Sequence, residues 1–322
     1  MYKSALRGSS ERARGIFQQE NIRASFVQVD RASYTFKMSK YYNPKRSAKY
    51  IFDPKSQDPY RLSRSKVDLF IQCPRCFYLD QRHGVGRPPG FPMTLNNAVD
   101  ALLKKEFDIH RANGTPHPLM RKYKIDAVPF QHEKIDEWRD ALRRGVSFLH
   151  KPSNLILRGG IDDVWVSPKG ELMIVDYKAT SKDEEITLDD AWKIQYKRQM
   201  EIYQWLFEKN GFRVSKTGYF VYVNGKTNRK AFDGKLEFDV TIIPYTGDSK
   251  WVEKALLDMK KCLLDDRIPK QSVDCDYCNY VRVLGDSLRE NLATHSSRKV
   301  TKKEVHNKKP SDDKEYAGGL FS

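Results

Sequence analysis

The stretch RGGIDDVWV (158–166), followed after a short connection by GELMIVDYK (170–178), decides the fold. It reads as two neighbouring strands joined by a turn. Successive side chains of a strand point to opposite faces. Asp176 and Lys178 therefore share one face, and Val175 and Tyr177 share the other. Met173, Ile174 and Val175 form a buried-looking run that delivers Asp176 to its end, and a hairpin brings Asp162 alongside. Gly159 and Gly160 permit close backbone approach beside that carboxylate. Two carboxylates and an ammonium then converge. Oxygen donors of this kind suit a hard divalent cation such as Mg²⁺, which brings its own waters.

Helices flank this centre. Ser63 to Tyr78 is expected to be one capped helix with Val67, Phe70 and Ile71 on a face. Leu95 to Phe107 is expected to be a second. Gln131 to Leu149 is a third, on the spacing of Ile135, Trp138, Leu142, Val146 and Leu149. Between the first two, HGVGRPPGFP (83–92) is an extended loop. After the strands, SKDEEITLD (181–189) is a polar loop at the site. Trp192 to Lys209 is a strong helix closed by Asn210 and Gly211. TGYFVYVNG (217–225) and KLEFDVTIIP (235–244) are strands, and Trp251 to Asp265 is helical. Helices, two strands, a helix, two strands and a helix imply an α/β core, bordering on α+β, with a mixed central sheet. The division expected is a basic, poorly ordered arm over 1–60, a core over 61–285 whose helical lobe covers 61–150, and a basic flexible tail over 286–322. Met38 is an alternative start.

The chain has 322 residues, 39% of them apolar, and a formal charge of +16, with a pI near 9.5. Such a field favours a polyanion, nucleic acid above all. No apolar run approaches the length of a membrane span. The start MYKSALRGSSERARG lacks the apolar core of a secretory signal, so a cytoplasmic location is expected. Five cysteines do not suit a disulfide framework in a chain of this length.

The combination of GID (160–162), DYK (176–178) and QMEIY (199–203) resembles the signature of the PD-(D/E)xK nuclease superfamily. Within it the pattern is similar to the RecB-like nuclease domains and the related CRISPR-associated nucleases. The resemblance implies a restriction-endonuclease-like core and Mg²⁺- or Mn²⁺-dependent hydrolysis of DNA, in repair, recombination or defence. It assigns the metal to Asp162 and Asp176, with the backbone carbonyl of Tyr177 as a further ligand. Lys178 assists the attacking water, and Gln199 and Tyr203, four apart on one helix face, support the site and contact DNA. Asp163 is the weaker candidate, since it points away from Asp162. Where the family often has a histidine on the preceding helix, this chain has Asp100, with Glu106 as the alternative. Two other readings of the same fold are a non-catalytic DNA-binding module and a phosphodiesterase acting on RNA.

CPRC (73–76) and CDYC (275–278) give two Cys-x-x-Cys pairs. Cys73, Cys76, Cys275 and Cys278 make a full tetrahedral set for zinc or a [4Fe–4S] cluster. Either would staple the two ends of the domain together. Related nucleases hold a [4Fe–4S] cluster with one cysteine upstream and three downstream. The two-and-two division here leaves both metals open. Cys262, among Leu256, Met259 and Leu263, reads as a core thiol. Arg75, Arg82, His83 and Arg87, with Phe77 and Tyr78, suit a strand-binding surface, and Lys193, Lys197 and Arg198 could track a backbone. His110, His117, His132 and His150 lack a metal-ligand spacing. No phosphate-binding glycine loop of the ATPase kind is present, so a helicase or other repair partner would be a separate protein.

Overall fold

The alternating apolar runs pair into two sheets. The structure, a computed structural model, describes residues 47–306, with side chains described to residue 295. The larger sheet has the order β2 (Val128–Pro129), β5 (Asp163–Val166), β6 (Leu172–Thr180), β7 (Thr217–Gly225), β8 (Phe238–Thr246). β6 and β7 are parallel and the other neighbours antiparallel. The smaller sheet has the order β1 (Tyr60–Ser63), β4 (Leu155–Gly159), β3 (Val146–His150).

A parallel pair needs a crossover, and α6 (Ile194–Lys209) provides it between β6 and β7. α6 also packs against β3 and β4, so one helix serves both sheets. Its interior is apolar on most sides: Met200, Ile202, Tyr203, Trp205, Leu206 and Phe207 are all buried. The opposite face of the larger sheet is covered by α3 (Thr94–Asn113), which packs on β6 and β2. The strand period sorts the core accordingly. Leu172 and Ile174 join the α6-side cluster, and Val175 and Tyr177 join Leu103 and Phe107 on the α3 side. This is a restriction-endonuclease-like α/β fold, with a mixed central sheet between helices.

Three expectations are corrected. The helix anticipated over Ser63–Tyr78 is two, α1 (Arg64–Gln72) and α2 (Pro74–Arg82). Pro74 forces the preceding residue out of helical geometry, and Cys73 is extended, with φ −159° and ψ 104°. The helix anticipated over Gln131–Leu149 is a short α5 (Ile135–Arg139), a turn, and β3. Gly145 ends the helical reading: its φ is +73°, and a Cβ there would lie 2.4 Å from the carbonyl oxygen of Gly159. Leu142, placed on the apolar stripe by its spacing, is 88% exposed. Arg158–Val166 is not one strand either. β4 ends at Gly159 in the smaller sheet and β5 begins at Asp163 in the larger. Within the segment from 286, the described residues continue α8, which runs from Asp276 to His306.

At the other end, Phe52 is buried in the main core, so the packed region begins before residue 60. Residues 1–46, including Met38, and residues 307–322 lie outside the described residues. The remaining elements are α4 (Pro118–Lys122) and α7 (Trp251–Leu264). Among the described residues, no helix is long and apolar enough to cross a membrane.

Candidate functional site

β5 and β6 fix the central geometry. Asp163 lies opposite Val175 in their antiparallel register. One step further along that register, just before β5 begins, Asp162 comes beside Asp176. The backbone N–H of Tyr177 donates to Asp162 Oδ2 at 2.8 Å. Asp176 is fully buried. Its Oδ1 accepts from Gln199 Nε2 at 2.7 Å, and its Oδ2 meets the ammonium of Lys178, which lies 4.6 Å from the centre of the Tyr196 ring.

The electrostatics follow from burial. Desolvation pushes the Asp176 carboxyl up to about 6; the Lys178 ammonium opposes this and the Asp162 charge reinforces it. Burial works against the Lys178 ammonium too, but Asp176 and Asp162 outweigh it and raise its pKa. Asp100, on α3, is also raised, by desolvation first and then by the charge of Asp162. Lys104, one turn on, bridges these two carboxylates, 2.8 Å from Asp100 Oδ2 and 3.5 Å from Asp162 Oδ1. The Asp162 charge thus acts against the ionised form of both Asp176 and Asp100, and a cation placed among these hard oxygen donors would offset it.

Gln199 and Tyr203 enter from α6. Gln199 Nε2 lies 3.4 Å from the Tyr203 hydroxyl, and Tyr203 is 3% exposed. The ring packs on Gly159, where a Cβ would come within 2.5 Å of Cε1. Arg64 escaped the sequence reading. It hydrogen-bonds Tyr203 and pairs with Asp68 at 3.0 Å, whose other oxygen holds Arg198 Nε at 2.6 Å. Lys104 escaped it as well, although an Asp100–Lys104 pair at i and i+4 was visible.

Other candidates have structural partners. Asp163 is fully buried and receives Arg111, Arg139 and the Tyr177 hydroxyl, the last at 2.8 Å. Glu106 is away from the site, bonded to His117 Nε2 at 2.8 Å. Lys193 is buried against Asp190 and the carbonyl of Thr187, and Arg198 is held by Asp68. Both cations are thus engaged by groups of the chain itself. Arg75, Arg82 and Arg87 likewise bind the C-terminal segment, through Pro269 O and Gln271, Asp266, and Cys275.

The second cluster joins the ends of the described chain. Cys73 caps α2, and Cys275 directly precedes α8. The donor atoms of Cys73, Cys76, Cys275 and Cys278 all lie within 4.8 Å of one another, a geometry able to coordinate a metal ion. Among the described residues, this is the group of three or more metal-type donors drawn so close. Burial pushes the Cys73 thiol up, but backbone amides of Ser272 and Cys76 and the neighbouring thiols outweigh it and hold the group at about 6. Burial raises Cys76 and Cys278. Cys262 is separate, partly buried against the main core, with its thiol pushed up to about 11 by burial and then Asp265.

The sequence profile of the PD-(D/E)XK nuclease superfamily matches residues 61–283, and the chain belongs to that superfamily. A comparison with curated proteins found no match. Among solved structures, the chain is similar to one titled "Crystal structure of SSO0001", at 13% identity and a TM-score of 0.27, over 67% of this chain and 81% of that one.

Proposed function

We propose that this member of the PD-(D/E)XK superfamily is a metal-dependent nuclease that hydrolyses phosphodiester bonds of DNA. The observation that supports it best is the meeting of Asp162, Asp176 and Lys178 at one end of the β5–β6 pair, with Asp176 buried and its pKa raised. Asp162, Asp176, Asp100 and the carbonyl of Tyr177 would hold Mg²⁺ or Mn²⁺. Such an ion, when bound, activates water and neutralises charge on the phosphate.

The chain's own residues do the rest. Gln199 fixes the rotamer of Asp176 through its 2.7 Å hydrogen bond. Tyr177 N holds Asp162 in place. Lys178, kept protonated by two carboxylates, would offer a cationic donor to the charge that develops on the phosphate in the transition state. Tyr203 and Arg64 close the floor of the site. The net charge of +16 favours a polyanionic substrate and predicts binding that weakens as salt rises. The Asp162, Asp176-x-Lys178 and Gln199-x-x-x-Tyr203 pattern supports the RecB-like branch.

The test is cleavage of single- and double-stranded DNA, with RNA in parallel, in Mg²⁺ or Mn²⁺. Asp176→Asn and Lys178→Ala should abolish cleavage while circular dichroism stays unchanged. Cleavage by either folded variant at the wild-type rate removes the proposal. One observation favours a second reading, a DNA-binding module without catalysis: Lys104 already bridges Asp100 and Asp162. Salt-sensitive DNA binding that ignores EDTA, with no product in any divalent ion, would select it.

A further inference from the structure

The four-cysteine cluster discriminates between the two metals that its sequence leaves open, independently of the proposed nuclease chemistry. Cys73 and Cys278 sulfurs are 3.8 Å apart, Cys76 and Cys275 3.6 Å, and Cys76 and Cys278 3.5 Å. A single tetrahedral ion with Zn–S bonds of about 2.3 Å places its sulfurs about 3.8 Å apart. A [4Fe–4S] cluster ties each thiolate to a different iron at a different corner. Its four sulfurs must stand wider than those sharing one ion, and a limit of 4.8 Å on the whole set leaves too little room.

The segments that carry the cysteines are anchored against spreading. Arg75, inside the first pair, donates to Pro269 O and to Gln271 Oε1, each at 3.0 Å. Tyr78, in the next turn of α2, donates to Asp265 O at 2.9 Å. Gln271 in turn donates to Asn279, one residue past Cys278, at 2.9 Å. Arg87 Nη2 donates to Cys275 Sγ at 3.4 Å, as a partner of a metal-bound thiolate does. Each pair begins at a helix N-terminus, whose partial positive charge favours the thiolate form a metal requires.

We propose that Cys73, Cys76, Cys275 and Cys278 hold one Zn²⁺ in place of the iron–sulfur cluster that resemblance to related nucleases implies, and that this ion fixes the root of α8 to α2. Beyond Cys278, α8 has little other support. Tyr280, Val281 and Leu288 are 68%, 66% and 57% exposed.

The test is anaerobic purification of the full chain from cells supplied with both iron and zinc, followed by elemental analysis and a visible spectrum. One zinc per chain and a colourless protein are expected. Exchange with Co²⁺ should give the visible bands of a tetrahedral thiolate site, absent from Cys76→Ser and Cys278→Ser. Where those variants fold poorly, hydrogen exchange of wild-type protein with and without a chelator gives an independent readout: protection should fall in 276–284 and persist in β6 and β7. Four irons with inorganic sulfide and a broad band at about 400 nm overturn the proposal. So does a metal-free chain with α8 equally protected in chelator. Asp176→Asn should retain its zinc, so a failed nuclease assignment leaves this result standing.

Discussion

The carboxylate site and the cysteine site are built by opposite strategies. Asp162 and Asp176 are neighbours because two adjacent antiparallel strands are in register, a local consequence of strand period. The cysteines are neighbours because α2 and the start of α8 come together from the two ends of the superfamily-matched region. The first site buries charge, and neutralises it only in part with Lys178 and Lys104. The second gathers soft donors close around one point. A site paid for in desolvation is suited to act on a ligand that arrives and leaves, and a site of close thiolates is suited to keep its ion. Chemistry and stability should therefore respond to different substitutions.

The largest effect should come from Asp176→Asn. It keeps the shape and removes the charge, and should cost about a thousandfold or more in cleavage, of the order seen when charge stabilisation at a transition state is removed. Zinc content should not change. A parallel loss of zinc would show the sites to be coupled and would end the comparison. The next effect is on the other side. Chelation should lower hydrogen-exchange protection at the start of α8 by about a hundredfold, while the sheet keeps its own, since exchange reports local opening.

Tyr177→Phe separates scaffold from chemistry inside the first site. It removes the hydroxyl that donates to the fully buried Asp163. The loss of one bond to a buried carboxylate should cost about 1–3 kcal/mol, measured by denaturant unfolding. Cleavage below the melting range should survive, because the backbone groups of Tyr177 remain.

These contrasts explain what was legible in advance. The alternation through Asp176, Tyr177 and Lys178 is a property of the strand itself, so the face of each was readable from the sequence. The Cys-x-x-Cys spacing announced donors, though not their separation. Arg64, Arg111, Arg139 and Lys104 were not readable as site residues, because the sequence carries no distance between α1, α3, α5 and β6. The misread helix over Gln131–Leu149 has the same origin. Ile135, Trp138, Leu142, Val146 and Leu149 satisfy helical spacing, but Gly145 requires a left-handed backbone and VSFLH has the aromatic and β-branched content of a strand. Asp163 shows the converse: the strand period turned it away from Asp162, and only the fold supplied the two arginines that make it an anchor.

The pH dependence sharpens the comparison further. The folded pKa of Asp176 is raised to about 6, above an unfolded value of about 3.9. Ionised Asp176 therefore costs stability above pH 6, and that cost is relieved as pH falls and the folded chain takes up the proton. Asp176→Asn lacks the cost. Its stability relative to wild type should rise between about pH 4 and pH 7, whatever constant offset follows from the changed surroundings of Lys178. Thermal melts of both proteins across that range, in chelator, measure it. A flat difference would mean that Asp176 is hydrated and not buried.

The smallest effect tests the identity of the first site most directly. Lys104 is a cation held by Asp100 and Asp162, with 22% of its side chain exposed. A divalent ion on the same oxygens must share them with that ammonium or displace it. Lys104→Gln removes the competitor and keeps the length of the side chain. Two partly exposed charges at this range interact by about 1 kcal/mol or a little more, so Mn²⁺ should bind several-fold more tightly in the variant. Titration without DNA, followed by electron paramagnetic resonance, reads this without a cleavage assay. If Mn²⁺ binds equally to both proteins while DNA affinity falls in the variant, Lys104 faces the phosphate and Asp100 is not a ligand. The ion would then rest on Asp162, Asp176 and the Tyr177 carbonyl alone.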